Sequence, residues 1–280
     1  MQAKIPFRKN GSHRPVVGLA LGSGGARGLA HIGVIKVLLK HNIPIDLIAG
    51  TSAGALIGGL FCAWQDIDKI EREFLALRYR DWLKFFADPA FKSGLFHGTS
   101  IVSYLNNRLS GITIDRLQIP FGAVATDLIS GDTVAIREGN LAEAIKASSS
   151  LPGLLRPSRI GNKYLIDGGT SEPTPALTAR NMEADLVIAV NLDNDFFPKA
   201  IRPGEEPSIT QAVQATIQLL RYHLAIKTAS SADIIITPGL AGVKMNHVVK
   251  GQSIIAKGEK AAEDAIPMIK KALKSLVKSR

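Results

Sequence analysis

Val16-Val17-Gly18-Leu19-Ala20-Leu21-Gly22-Ser23-Gly24-Gly25-Ala26-Arg27-Gly28 begins as an apolar run and ends in a cluster of glycines. Val16 to Leu21 reads as a buried strand, and after the glycines Leu29, Ile32, Ile35 and Leu39 recur at helical spacing. Lys36 and Lys40 fall on the other side of that helix. The order is strand, glycine loop, helix, and the next segment repeats it. Pro44 and Asp46 precede the strand Leu47 to Ala49, the chain turns at Gly50, and a helix begins near Ser52. Two successive units of this kind predict an α/β fold with a mostly parallel central sheet and helices on both faces.

Leu47 to Trp64 contains no charged residue, and its 18 positions approach the length of a membrane span, with Gly54 and Gly58 at GxxxG spacing. The strand-like opening, four glycines and the Thr51-Ser52 pair favour a buried strand, a tight turn and a buried helix instead. Further along, Gln65 to Ser110 is helical in pattern, broken at Pro89 and Gly94, and holds Trp82, Phe85, Phe86, Phe91 and Phe96, a candidate cap over a site. Phe121 to Ala125 and Thr133 to Arg137 predict a hairpin around Ser130-Gly131, and Leu141 to Ser148 a helix. Strands are expected at Tyr164 to Ile166, Leu186 to Val190 and Ile234 to Thr237. Ile209, Val213, Ile217, Leu220 and Leu224 predict an amphipathic helix, Pro198 to Pro207 a surface loop, and Ser253 to Val277 a last helix. Residues 1–14 read as a flexible basic tail and 15–280 as one domain.

The composition narrows the class. With 46% hydrophobic residues over 280 positions the chain is long enough for a full core. Cys62 is the single cysteine, which excludes an internal disulfide and a thiolate zinc site. No apolar signal-peptide core stands in the first 14 residues, so a cytoplasmic protein is expected. The net charge of +10 suits an anionic partner. The basic N-terminus and the run Lys270, Lys271, Lys274, Lys278 and Arg280 suggest peripheral attachment to an anionic membrane surface, against the plainer reading of a solvated helix face. No nucleic-acid motif is present, and no nucleic acid is expected as partner.

Gly50-Thr51-Ser52-Ala53-Gly54 fits G-x-S-x-G, in which a serine is held on a strained strand-to-helix turn. The pattern is common in a glycine-rich chain, but here it falls at the strand-helix junction where such an elbow must lie. Acyl transfer also needs N–H donors for a developing oxyanion, and the turn from Gly22 to Gly28 at a helix N-terminus offers them. A dinucleotide fingerprint starting at Gly22 would need glycine where Arg27 stands, and a P-loop would need Gly-Lys where Arg27-Gly28 stand. An irregular phosphate nest remains an alternative. For a base, Ser52, Asp167 and His247 or His223 follow the order serine, aspartate, histidine. Asp167 followed by Gly168 and Gly169 is also suited to act directly, since a carboxylate beside two glycines approaches another loop closely. A plain turn aspartate is the competing reading.

Taken together, these blocks resemble the patatin-like phospholipases, in particular small bacterial members similar to the catalytic module of neuropathy target esterase. Gly22 to Gly28 looks like the family's oxyanion loop, Gly50 to Gly54 like its nucleophile elbow, and Asp167-Gly168-Gly169 like its D-G-G/A motif. Ala147-Ser148-Ser149-Ser150-Leu151-Pro152 with Pro157 is similar to a fourth block. The resemblance runs from about Val16 to Ile266 and implies the patatin-like three-layer fold. It also implies a Ser52–Asp167 dyad, N–H donors from Gly24, Gly25 and Ala26, and no metal, cofactor or histidine in the mechanism. Arg27 would hold the loop by ion pairing. The implied substrates are phospholipid, lysophospholipid or other fatty acyl esters. One departure stands out: Pro173 occupies the place of an asparagine usual after D-G-G, so Thr170 or Ser171 would have to supply what it contributes. A weakly active or non-catalytic lipid-binding regulator with the same fold is the alternative this departure raises.

Overall fold

Every residue of the strands β1 (Val17–Leu21), β2 (Leu47–Thr51) and β7 (Leu186–Val190) is buried, as expected of parallel strands covered on both faces. A computed structural model describes residues 14–76, 88, 96–193, 204, 206–243 and 251–278. The other strands are β3 (Phe121–Asp127), β4 (Thr133–Ile136), β5 (Ser158–Ile160), β6 (Lys163–Asp167) and β8 (Ile234–Ile236). The helices are α1 (Ala30–Lys40), α2 (Ala53–Trp64), α3 (Ile67–Ala76), α4 (Thr99–Leu109), α5 (Leu141–Ser148), α6 (Ala176–Asn181), α7 (Ile209–Ala229) and α8 (Gly251–Lys278).

All eight strands belong to one sheet, traced through hydrogen-bonded neighbours as β5-β6-β3-β2-β1-β7-β8 with β4 paired on β3. The pairs β1–β2, β1–β7, β2–β3 and β7–β8 are parallel, and β4, β5 and β6 make antiparallel pairs. The two faces differ in bulk. Leu19, Leu21, Ile188 and Val190 enter the larger core with α1, α2 and α8, while Ala20, Ala49, Val187 and Ala189 pack against Ala176 and Ala179 of α6. This is the expected α/β architecture with helices on both faces.

Alternation along β3 explains the meeting of two strands that face each other end to end. β4 pairs with Ala123 to Thr126 along one edge of β3. β2 pairs with Phe121 to Val124 and β6 with Ala125 to Asp127, so these two share the other edge. The carboxyl end of β2 at Thr51 therefore abuts the carboxyl end of β6 at Asp167, whose register partners Val124 and Ala125 are consecutive.

Leu47 to Trp64 divides into β2 and α2 as its glycines indicated, and no described helix is long and apolar enough to cross a membrane. Trp82, Phe85, Phe86 and Phe91 lie outside the described residues, as does most of Pro198 to Pro207. Two short elements, β5 and α6, went unread because three and six residues carry little periodicity. The apolar stripe of α7 is a clear difference. Its spacing is helical, yet Ile209, Val213, Ile217 and Leu220 are exposed rather than buried.

α8 runs alongside α1 in the same direction. Glycines permit the contact: a Cβ at Gly33 would stand 2.1 Å from Ile255 O, and one at Gly258 2.0 Å from Ala30 O. Gly54 is equally constrained, since a Cβ there would lie 2.0 Å from Leu21 O at the end of β1. Gly54→Ala is therefore expected to destabilise the fold by about 3 kcal/mol or more, at or above the upper end of overpacking penalties, measured as a lowered midpoint of urea unfolding.

Candidate active site

Ser52 links β2 to α2 with φ 55° and ψ −114°. A non-glycine residue in such a region costs on the order of 1–3 kcal/mol and persists only when its surroundings enforce it. They do so here. A Cβ at Gly50 would meet Gly54 O at 2.5 Å, so the chain doubles back with no room for a side chain at either glycine. The N–H of Ser52 donates to Ser148 Oγ at 2.8 Å, and that hydroxyl donates to Val124 O at 2.5 Å. Ser148 thus ties the elbow to β3, a role its sequence block did not reveal.

Asp167 is brought to the elbow by the shared edge of β3. Gly168 makes the approach feasible, because a Cβ there would fall 2.1 Å from Val124 O and 3.1 Å from Thr51 Cγ2. The carboxylate Oδ1 accepts the N–H of Gly169 at 2.7 Å, and the Ser52 side chain lies close enough to the carboxylate to lower its pKa. Burial pushes the Asp167 pKa above its ordinary value, opposed by the Gly169 N–H, the nearby Ser52 side chain and the charge of Arg221. A buried carboxylate beside a strained serine is an arrangement in which the carboxylate can serve as a base for the hydroxyl.

The glycine loop is fixed from behind. Gly22 N–H donates to Val190 O at 3.1 Å and Ser23 N–H to Pro173 O at 2.8 Å. A Cβ at Gly28 would stand 2.4 Å from Ala53 Cβ, so the loop packs directly on the residue after Ser52. Among the described residues no group accepts the N–H of Gly24, Gly25 or Ala26, which precede and open the turn Gly25–Leu29. Arg27 is 2% exposed and belongs to the scaffold: it donates to Asp193 Oδ1 at 2.6 Å and Leu192 O at 3.0 Å. Arg221 of α7 reaches the same carboxylate at 3.1 Å and donates to Ser23 Oγ at 3.0 Å.

Pro173 has a function in this loop through its carbonyl. Its neighbours do the rest: Thr51 Oγ1 donates to Glu172 O at 2.9 Å, and the buried Glu172 carboxylate accepts from Thr178 N and Oγ1. Ser171 Oγ bonds Thr126 Oγ1 at 2.8 Å, whereas Thr170 is exposed. Of the two residues expected to compensate for the missing asparagine, Ser171 is engaged.

No described histidine bonds Ser52 or Asp167. His223 is exposed on α7, and His247 lies outside the described residues. His31 is fully buried beneath the glycine loop, its Nε2–H donating to Gly22 O at 2.7 Å while Nδ1 has no partner among the described residues. Burial lowers its pKa to about 4, so it is a neutral brace for the loop. Asp193, Arg221 and Ser148 were missed by sequence reasoning. The first two are brought to the loop by strand order and a crossover helix, with no local signature.

The family model for patatin-like phospholipases matches residues 19–180. An uncharacterized NTE family protein of Mycobacterium bovis is 38% identical over 210 residues, covering 75% of this chain and 58% of that protein. The chain thus spans 58% of the length of that relative. A lysophospholipase named NTE1 from Debaryomyces hansenii is 35% identical over 184 residues, covering 63% of this chain and 12% of that protein. Among solved structures, VipD from Legionella pneumophila superposes with a TM-score of 0.58 at 12% identity, covering 96% of this chain and 67% of that one, a likeness of fold.

Two stability predictions follow from the geometry. Asp193→Ala removes the carboxylate facing two guanidinium groups, one of them deeply buried, and is expected to cost about 3–5 kcal/mol in denaturant unfolding. Because folding raises the pKa of Asp167, the native state holds that proton to higher pH than the unfolded chain does, so stability falls as pH rises through the raised value. Asp167→Asn is therefore expected to melt above the wild type at pH 8, with the gain shrinking towards ~pH 3.5, below the ordinary value of 3.8.

Proposed function

Since the chain belongs to the patatin-like phospholipase family, we propose that it is a serine lipid acyl hydrolase with Ser52 as nucleophile and Asp167 as its base. The observation that carries this reading is the juxtaposition of a strained Ser52 and a buried Asp167 where the carboxyl ends of β2 and β6 meet on consecutive residues of β3.

The chemistry balances with these groups. Ser52 Oγ attacks the ester carbonyl carbon as its proton passes to the Asp167 carboxylate. The carbonyl oxygen becomes an oxyanion and is met by N–H groups of Gly24, Gly25 and Ala26, which need no reorganisation as charge develops. Collapse breaks the bond to the alcohol, which leaves with the proton from Asp167, and the acyl group stays on Ser52. Water then attacks the acyl-enzyme while Asp167 takes its proton. A second collapse releases the fatty acid and returns the proton to Ser52.

Phospholipid or lysophospholipid is the substrate class this reading favours, supported by family membership and by the yeast relative's name. The regulator alternative drew on Pro173. Its main-chain carbonyl holds Ser23 N–H, a contact independent of the side chain, so the replacement leaves the glycine loop anchored. Ser52→Ala is expected to lower hydrolysis of a p-nitrophenyl ester and of lysophosphatidylcholine by about a thousandfold or more. Asp167→Asn should lower kcat about 10²–10⁴-fold with little change in KM, and His247→Ala and His223→Ala should retain full rates. Full activity in Asp167→Asn would refute the dyad.

A further inference from the structure

α7 enters the sheet region from beyond its carboxyl edge. Arg221 is level with Ser23 and Asp193, just past the ends of β1 and β7, and Thr228 Oγ1 accepts from Thr174 N. The chain then returns through Asp233, whose N–H donates to Val187 O, to enter β8 parallel to β7. α7 therefore runs antiparallel to β7, and residues 209–220 project past the carboxyl ends of the strands. At about 1.5 Å per residue that half is roughly 18 Å long.

This projecting half carries no charged residue: it reads Ile-Thr-Gln-Ala-Val-Gln-Ala-Thr-Ile-Gln-Leu-Leu. Four of its apolar residues stand in water, with Ile209 85%, Val213 53%, Ile217 55% and Leu220 66% exposed, while Ala215 is buried. At about 100° per residue the four fall within an arc of roughly 80°, a single continuous stripe. Such a stripe marks an interaction surface.

Across the mouth of the site stands the β5–β6 hairpin. Leu128 N–H donates to Tyr164 O beyond the last β3–β6 register pair, so the hairpin tip also projects past the carboxyl end of β3. It exposes Ile160 and Tyr164, and the turn after β3 exposes Ile129. Arg159 and Lys163 are exposed on it, Arg156 is exposed just ahead of β5, and no acidic residue occurs from 144 to 166. By contrast α8 starts with Gly251 beside Leu29 and passes Lys40 at Glu263, so Lys270, Lys271, Lys274 and Lys278 lie towards the opposite end of the sheet from Ser52.

We propose that the projecting half of α7 and the β5–β6 hairpin form a docking surface for an anionic lipid bilayer, seating the mouth of the site on the membrane. The choice of partner rests on the lipid-hydrolase reading of that site. Charge complementarity selects it over a second copy: another copy brings the same cationic hairpin and the same net charge of +10, whereas an anionic surface receives both the cations and the apolar stripe.

The test is sedimentation of the full chain, carrying Ser52→Ala to leave the lipid intact, with vesicles of phosphatidylcholine alone or with phosphatidylglycerol. Wild-type surface residues should give tighter binding to the anionic vesicles, weakened by salt. Val213→Ser, Ile217→Ser and Leu220→Ser together should weaken it tenfold or more, and Arg159→Gln with Lys163→Gln several-fold. On the Ser52 background, both sets should keep the melting temperature and the rate on a monomeric short-chain ester. Unchanged vesicle binding in the stripe variant would overturn the proposal. So would a change in oligomeric mass with vesicle binding intact, which would assign the stripe to a second copy. Vesicle binding lost as expected, in a protein whose Ser52 form hydrolyses no ester, would uphold the surface and refute the hydrolase reading.

Discussion

Two strands cannot occupy the same edge of a third at the same height, and that constraint organises the site. β2 takes the first half of one edge of β3 and must leave it, while β6 takes the second half from the opposite direction. β2 escapes through the sharp turn at Ser52, and β6 through Gly168 and Gly169. The two exits face each other, so a strained hydroxyl and a buried carboxylate meet without either relying on a flexible loop. Gly168 is a consequence of that crowding, since a Cβ there would meet Val124 O, while Gly50 and Gly54 are required by the sharp elbow and by its packing on the end of β1.

Electrostatics complete what packing begins. The glycine loop presents N–H groups, and behind it Arg27 and Arg221 share the single carboxylate of Asp193, which leaves the cluster with a net positive charge. Arg27 therefore serves as part of the wall. Arg221 has a second effect, because its charge opposes the burial that raises the pKa of Asp167 and helps keep that carboxyl ionised. The same helix that supplies Arg221 extends outward as the exposed stripe, so the element that tunes the base also reaches towards the surface proposed to meet lipid.

Much of this was legible in the sequence because close backbone approach leaves glycine as its trace. The loop at Gly22 to Gly28, the elbow at Gly50 to Gly54 and the pair Gly168-Gly169 are all local patterns, and the strand-helix alternation around them fixes the sheet. Asp193 and Arg221 left no such trace, because an ion pair spanning 28 residues is set by where a crossover helix lands. The stripe on α7 shows the limit of periodicity: spacing reveals that one face is apolar and says nothing about what covers it. The basic run at the end of α8 carries no mark of its position in the sequence; the parallel course of α8 beside α1 sets it towards the end of the sheet away from Ser52.

The central claim is that Asp167 takes the proton from Ser52. Its most direct test is the pH dependence of the rate at which a fluorophosphonate probe labels Ser52, compared with Asp167→Asn and Arg221→Gln. The account predicts one acid limb with an apparent pKa above the ordinary aspartate value, moved upward in Arg221→Gln and abolished with the fast rate in Asp167→Asn. A limb near neutral pH that persists in Asp167→Asn would contradict it and return the role of base to a histidine.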